Sequence, residues 1–362
     1  MNNNSESVNT TQVNRPVCFS HIEPTAVRWI TTSVYFPLVV LALFGNALII
    51  WIVYRNRRMR TAPNLLVVNI AVGCLILVKS HIIKESSFSC VQYIPLFFNF
   101  QVGDLLVAFT AMIPTAFYFV RNTYAWVNDG PFGQISCKLL HTSQASSIGC
   151  SIFSLTVLSF ERFFAVVFPM RNIVTIRGTV WLIVVIWFFS FVLSMPLLYA
   201  SKVRISDGVP YCIENWAPIF DPVKAPAIYT VVSFVFLYAI PLLVIAVLYS
   251  VIAVKVWRKK PPGNTIAPNH QVHRAAKKNV LKMSLALVLV FAFCWILIHV
   301  NLFLTDFSDT FGSCRSLPWL RATGFLLGHA NSATNCCIYP LFSQEYRQSY
   351  KKCFKSLFSR CH

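Results

Sequence analysis

Long apolar stretches, each near the length that crosses a bilayer, constrain this chain more than any other feature. A helix needs about 20 apolar residues to span the hydrocarbon core, and residues 30–54, 179–200, 227–254, 280–304 and 317–342 all reach that length. In hydrocarbon the backbone must satisfy its own hydrogen bonds, so such a chain folds as a bundle of helices. Of the 362 residues 56% are hydrophobic and 12% charged, yet the net charge is +19. Where that charge falls excludes nucleic acid as its reason. Most of the 31 Lys and Arg lie in four segments, Arg55–Arg60, Arg162–Arg177, Lys255–Lys282 and Arg347–Arg360. These alternate with the spans as cytosolic loops do. The bias puts the N-terminus outside and the C-terminus in the cytosol, which requires an odd number of spans; seven is the expected count.

Three regions follow: an extracellular tail over 1–29, the bundle over 30–342 and a cytosolic tail over 343–362. The first 29 residues are polar and lack the apolar core of a signal peptide, so the first span is expected to serve as the signal anchor. Asn3 and Asn9 open glycosylation sequons, which have meaning on an outer tail. Most of the 12 cysteines lie inside apolar stretches, where a small buried residue is the plain reading. Cys137 and Cys212 lie on the outer side, where disulfides persist. Cys18 and Cys314 lie there too and could form a second bridge. Cys353 and Cys361 follow the last span in a basic, aromatic stretch suited to palmitoylation.

Polar residues within spans are expensive and tend to be functional. Here they are few: Gly45-Asn46 in the first span, Asp104 in the second, Glu161-Arg162-Phe163 ending the third, Trp187 and Pro196 in the fourth, Pro241 and Tyr249 in the fifth, Phe291, Cys294 and Trp295 in the sixth, and Asn331-Ser332 and Asn335-Cys336-Cys337-Ile338-Tyr339 in the seventh. About 37 Å of helix separates Cys137 from Arg162, enough to put them at opposite ends of one span. An amphipathic tail follows from Gln344 to Phe358.

These marks, in this order and at these spacings, resemble the rhodopsin-like (class A) G-protein-coupled receptors. The resemblance covers about residues 30–358 with one interruption. It implies an all-α membrane protein: seven helices and a short cytosolic helix, in the plasma membrane, with an outer ligand pocket and an inner surface for a heterotrimeric G protein and then arrestin. No enzyme activity is expected, since no catalytic or metal-ligating cluster stands in the spans. Glu161 would hold Arg162 by a charge-assisted hydrogen bond, and Tyr249, Asn335 and Tyr339 would complete the coupling switch. Asp104, Ser151, Asn331, Ser332 and Asn335 match the family's allosteric sodium site, where a buried carboxylate needs a partner; no other cofactor is expected. Trp295 matches the toggle beneath the ligand, with Phe291 a turn below; Gln144, His299, His329 and Glu214 complete the expected pocket.

The departures are specific. The seventh-span proline of the family is Cys336, and the sixth-span proline is Leu297. Without those prolines both helices are expected to bend less. The position where some receptors carry an acid that locks Arg162 is Lys277, so that lock is not expected.

The ligand is narrowed by exclusion first. Amine receptors place an aspartate where this chain has Gln144, and opsins a lysine where it has His329. Phe132-Gly133 before Cys137-Lys138, Tyr211-Cys212-Ile213-Glu214-x-Trp216, and Lys277-Lys278-x-Val280-x-Lys282-Met283 resemble receptors of the tachykinin, neuropeptide Y and neuropeptide FF type. Glu214 and Asp221 could draw a basic peptide terminus, or could be an ordinary solvated surface. The alternatives are a class A receptor for a non-peptide ligand and a receptor-derived chain that does not signal. Repeats of the kind transporters use are not visible.

The second span resists counting. Residues 64–120 are too long for one helix. Removing Val72–Gln101 joins Ala71 to Val102 and restores the family's continuous pattern, Asn69-Ile70-Ala71-Val102-Gly103-Asp104. A valine codon begins GT and a glutamine codon can end AG, and Ile94–Phe100 translate pyrimidine-rich codons. These are the marks of a retained in-frame intron; a genuine inserted loop is the other reading. As written, the second helix is expected to be interrupted, with part of 91–120 making the span.

Overall fold

The computed structural model describes residues 25–55, 94–168, 176–258, 268–307, 318–342 and 346–352. Asn3, Asn9, Cys18, Asn69, Lys79, Lys84, Cys314, Cys353 and Cys361 lie outside the described residues, as does the side chain of Lys277.

The first span is α1 (Thr25–Arg55). The second is α2 (Ile94–Val107), a π turn at Ala108–Met112 and α3 (Ile113–Arg121). α4 (Pro131–Val167) is the third. α5 (Ile176–Ser194) and the short α6 (Pro196–Ala200) form the fourth. A hairpin of β1 (Ser201–Ser206) and β2 (Val209–Glu214) follows. The fifth is α7 (Lys224–Phe234), a π turn at Val235–Ala239 and α8 (Ile240–Arg258). α9 (Pro268–Phe307) and α10 (Pro318–Phe342) are the sixth and seventh. Residues 346–352 are helical.

Among the described residues six segments are long and apolar enough to cross a membrane. α10, at 25 residues, has the length but not the hydropathy. The reason is that it turns His329, Asn331, Ser332 and Asn335 into the bundle, all buried. The bundle is polar inside and greasy outside: Asn46, Asn99, Gln101, Asp104, Ser147 and Ser151 are buried, while Phe109, Phe188, Leu243, Leu289 and Phe293 are exposed. Lipid tails solvate Leu and Phe as well as a core does, so helices in a membrane meet instead through small and polar residues. α4 is central and packs on α2, α5 and α8, while α10 packs on α1 and α9.

Both π turns have the same cause. Each ends two residues before a proline, at Pro114 and at Pro241. A proline has no N–H to give the carbonyl four residues back and its ring collides with that carbonyl. Widening the preceding turn relieves the collision, with Ile113 N–H reaching Ala108 O and Ile240 N–H reaching Val235 O.

The second helix runs without a break from Ile94 to Arg121, passing through Gln101 and Val102. Its inner turns are therefore built from Ile94–Gln101, a stretch that lies within the 30 residues whose removal restores the family pattern. At the inner end of α10, Arg347 donates to the carbonyls of Pro340 (3.1 Å) and Leu341 (2.9 Å). These are among the carbonyls a helix end leaves orphaned. Tyr346 and Tyr350 pack on Ile52. The tail helix is thereby docked across the first and seventh spans; the rest of Gln344–Phe358 lies outside the described residues.

Candidate functional site

Among the described residues, a disulfide organises the outer mouth. Cys137, in the second turn of α4, is bridged to Cys212 on β2, with Cα atoms 5.7 Å apart. The pairing expected from the outer-side cysteines is present. It pins the hairpin over the third span. The hairpin's tight turn is Asp207-Gly208, both with positive φ (51° and 76°), the pattern a two-residue turn between twisted strands requires. Gln134 fixes the hairpin again, donating to Val203 O and accepting from Val203 N, both at 3.0 Å. Trp126 Nε1 donates to Gly133 O at 2.9 Å. A Cβ on Gly133 would stand 1.9 Å from Asn128 O, so only glycine fits there. His141 lies 3.8 Å from Cys212 Sγ; with both sulfurs in the bridge, that trio is no metal site.

At the end of β2, Glu214 lies near enough to Asp306 to feel its charge. Glu214 Oε1 accepts from Trp216 Nε1 at 2.8 Å. Asp306, at the outer end of the sixth span, accepts from Thr230 Oγ1 at 2.6 Å. Glu214 is open to solvent at the lip but walled by protein. That burial, with the nearby charge of Asp306 against the pull of the Trp216 hydrogen bond, pushes its carboxyl up to about 7. Asp221 is otherwise engaged: its Oδ1 accepts from Val223 N (2.8 Å) and Lys224 N (2.9 Å), starting α7.

Deeper, Trp295 and Phe291 are buried with ring centroids 5.9 Å apart. His299 packs on Phe234 and Tyr238 (5.3 and 4.7 Å between centroids). His329 lies toward the first span, hydrogen-bonded to the Tyr35 hydroxyl. The two histidines therefore face different walls, His299 the fifth span and His329 the first. Gln144 is half-buried on α4.

At mid-bundle Asp104 Oδ2 accepts from Asn335 Nδ2 at 2.9 Å, with the Ser332 side chain beside it. Asp104 Oδ1, Asn331 Oδ1 and Asn335 Oδ1 are buried and have no hydrogen-bond donor. Ser151 is brought close because Gly103 opposite it has no side chain; a Cβ there would touch Ser151 Oγ at 3.4 Å. Buried oxygens without donors next to a carboxylate are the ligands a small hard cation takes. Of the five residues expected at the sodium site, Asp104, Asn331 and Asn335 offer such oxygens, Ser332 lies beside Asp104 and Ser151 lies against Gly103.

At the inner end Arg162 Nη2 donates to Glu161 Oε2 at 2.8 Å, both largely buried. Tyr249 and Tyr339 lie in the same buried cluster as Trp295 and Phe291. Tyr339 is bonded to the second span: Gln101 Nε2 donates to its hydroxyl at 2.7 Å.

Three site residues went unread in the sequence. Asn99 ties three spans, accepting from Trp187 Nε1 (2.8 Å) and donating to Ser154 Oγ (3.0 Å). Gln101 and Asp306 are the others. A usable signal existed for Asp306: eleven residues after Trp295 is three helical turns, which returns to the same face.

A disulfide-pinned hairpin over an acidic mouth, polar oxygens at mid-bundle and an arginine–glutamate pair at the inner end of one helix define a signalling receptor of the seven-helix class. Residues 76–339 match the family described as 7 transmembrane receptor (rhodopsin family), and the chain belongs to that family. Among curated proteins it is 27% identical to the Substance-P receptor of Aquarana catesbeiana over 352 residues, 97% of this chain and 77% of that one. It is 27% identical to the Substance-K receptor of Bos taurus (90% and 75% covered) and 25% to the Neuromedin-K receptor of Oryctolagus cuniculus (89% and 60% covered).

Proposed function

We infer that the protein is a neuropeptide receptor of the tachykinin-receptor type, a multi-pass protein of the plasma membrane that activates a heterotrimeric G protein. The observation that carries this reading is the third span. Its outer end is bonded to the hairpin at Cys137–Cys212 and its inner end carries the Glu161–Arg162 pair, so one rigid element joins the mouth to the coupling face.

A peptide with a basic terminus fits the mouth, because Glu214 at the end of the hairpin and Asp306 at the outer end of the sixth span offer carboxylates. Gln144 supplies an amide for a peptide backbone, and Trp295, His299 and His329 line the walls below. Ligand that moves the sixth span through Trp295 weakens the Glu161–Arg162 pair, freeing a guanidinium for the G protein and, later, arrestin. A sodium ion held by Asp104, Ser151, Asn331, Ser332 and Asn335 would supply a positive charge that stabilises the resting arrangement. The charge bias supports an outer N-terminus glycosylated at Asn3 and Asn9 and an inner tail palmitoylated at Cys353. The reading that residues 72–101 are a retained intron is decided by sequencing transcripts across Ala71 and Val102.

The function is tested by guanine-nucleotide exchange on membranes carrying the chain, challenged with a panel of basic and amidated neuropeptides. One or more should stimulate exchange, and Arg162→Ala should abolish exchange while preserving peptide binding. Exchange that persists in Arg162→Ala refutes the assigned coupling switch.

A further inference from the structure

The inner half of the second span does two separate jobs. Asn99 joins the second span to the third and fourth through Ser154 and Trp187. Gln101, two residues on, points to the seventh. It is fully buried and donates its amide N–H to the Tyr339 hydroxyl at 2.7 Å. One turn further out, Asp104 reaches the seventh span again through Asn335 at 2.9 Å. Tyr339 is also flanked by Tyr346 of the tail helix, with ring centroids 5.5 Å apart. The Gln101 bond is thus an inner tie between the second and seventh spans, made to a residue of the coupling switch.

We propose that Gln101 is a positioning residue that latches Tyr339 in the resting arrangement, and that residues 72–101 determine whether the latch is present. The inference rests on the G-protein-receptor reading above. Asn99 stands five residues before Asp104, and Gln101 three before it. In a chain lacking 72–101, Asn69 and Ala71 take those two places. The asparagine that serves Trp187 and Ser154 is kept; the glutamine that serves Tyr339 becomes an alanine with no donor. The 30 residues therefore exchange one inner half-span for another of the same register, differing at the latch. The bond to Tyr339 pairs the amide N–H of Gln101, while its Oε1 is buried without a donor.

Any movement of Tyr339 that serves the coupling switch must first break the Gln101 bond. A net hydrogen bond of the usual strength shifts such an equilibrium by about two- to tenfold. Ligand-independent nucleotide exchange per receptor at the surface should therefore rise two- to tenfold in Gln101→Met. The chain lacking 72–101 should show the same high basal level, and Ala71→Gln in that chain should lower it. An unchanged basal level in Gln101→Met overturns the proposal. If Gln101→Met does not reach the surface, Ala71→Gln decides it: no reduction overturns the latch. If no form signals at all, the receptor reading fails. The latch is then judged by thermal unfolding of the purified chain, where Gln101→Met and Tyr339→Phe must be non-additive; additive shifts overturn it.

Discussion

Asn99→Ala probes whether Ile94–Gln101 form the inner half of the second span. Asn99 is 4% exposed, and the substitution removes the acceptor for Trp187 Nε1 (2.8 Å) and the donor to Ser154 Oγ (3.0 Å). Interhelical hydrogen bonds in membranes contribute about 0.6 kcal/mol on average and at most about 1.7. Two such bonds sum to about 1–3 kcal/mol, a five- to 150-fold change in the folded ratio. The third contact, to Cys150 Sγ at 3.4 Å, is weak and adds little. Thermal unfolding of the purified receptor, with surface expression alongside, measures the loss. In a Trp187→Phe background the loss should fall by about half, since the stronger bond is already gone. Asn69→Ala in the same chain should change stability by less than about 0.5 kcal/mol, the usual range away from such networks. A silent Asn99→Ala together with a destabilising Asn69→Ala would show that the span is built from the earlier segment, and the reasoning would fail.

Three further outcomes follow from the site. Glu214, held up to about 7 by burial and Asp306, must be ionised to attract a cation; below that pH binding first requires losing a proton. Affinity for a basic peptide should hold steady above about pH 8 and fall as pH drops through 7, up to tenfold per unit, with the slope absent in Glu214→Gln. Cys137→Ser opens a loop of 75 residues; chain entropy assigns about 4 kcal/mol to that closure, so peptide binding and surface expression should both collapse, as radioligand and antibody counts would report. Replacing sodium by choline should lower the unfolding temperature of the intact receptor and leave Asp104→Asn unmoved; an equal response in both removes the ion from this site.

The spans were legible because bilayer length and interior polarity leave few alternatives. Cys137, Glu161 and Arg162 were legible because their separation places them at the two ends of one helix, and Cys212 because it lies on the outer side, where disulfides persist. The seventh span was read from its length and its polar marks, and its buried polar face, His329 to Asn335, is what sets it apart from the other six. The second span was the hard case for a definite reason. Asn69 in the shortened register and Asn99 in the full one fall the same distance before Asp104, so periodicity cannot choose between them; only the bonds to Trp187 and Ser154 show which asparagine serves in this chain. Gln101 was invisible for the opposite reason: at a proposed boundary it looked like an edge, and its partner lies 238 residues away. Asp221 shows the limit of reading loop acids as ligand groups, since its oxygen starts a helix instead.

The central claim is that a peptide mouth and the Arg162 end are coupled through one bundle. Linkage makes that reciprocal: if peptide promotes G-protein binding, G protein must raise peptide affinity by the same factor. Peptide affinity is therefore to be measured on membranes carrying the receptor with its G protein, before and after excess non-hydrolysable GTP analogue. A coupling of the usual size predicts at least a fivefold weakening on uncoupling, and none in Arg162→Ala. An affinity that the nucleotide does not change would contradict the account.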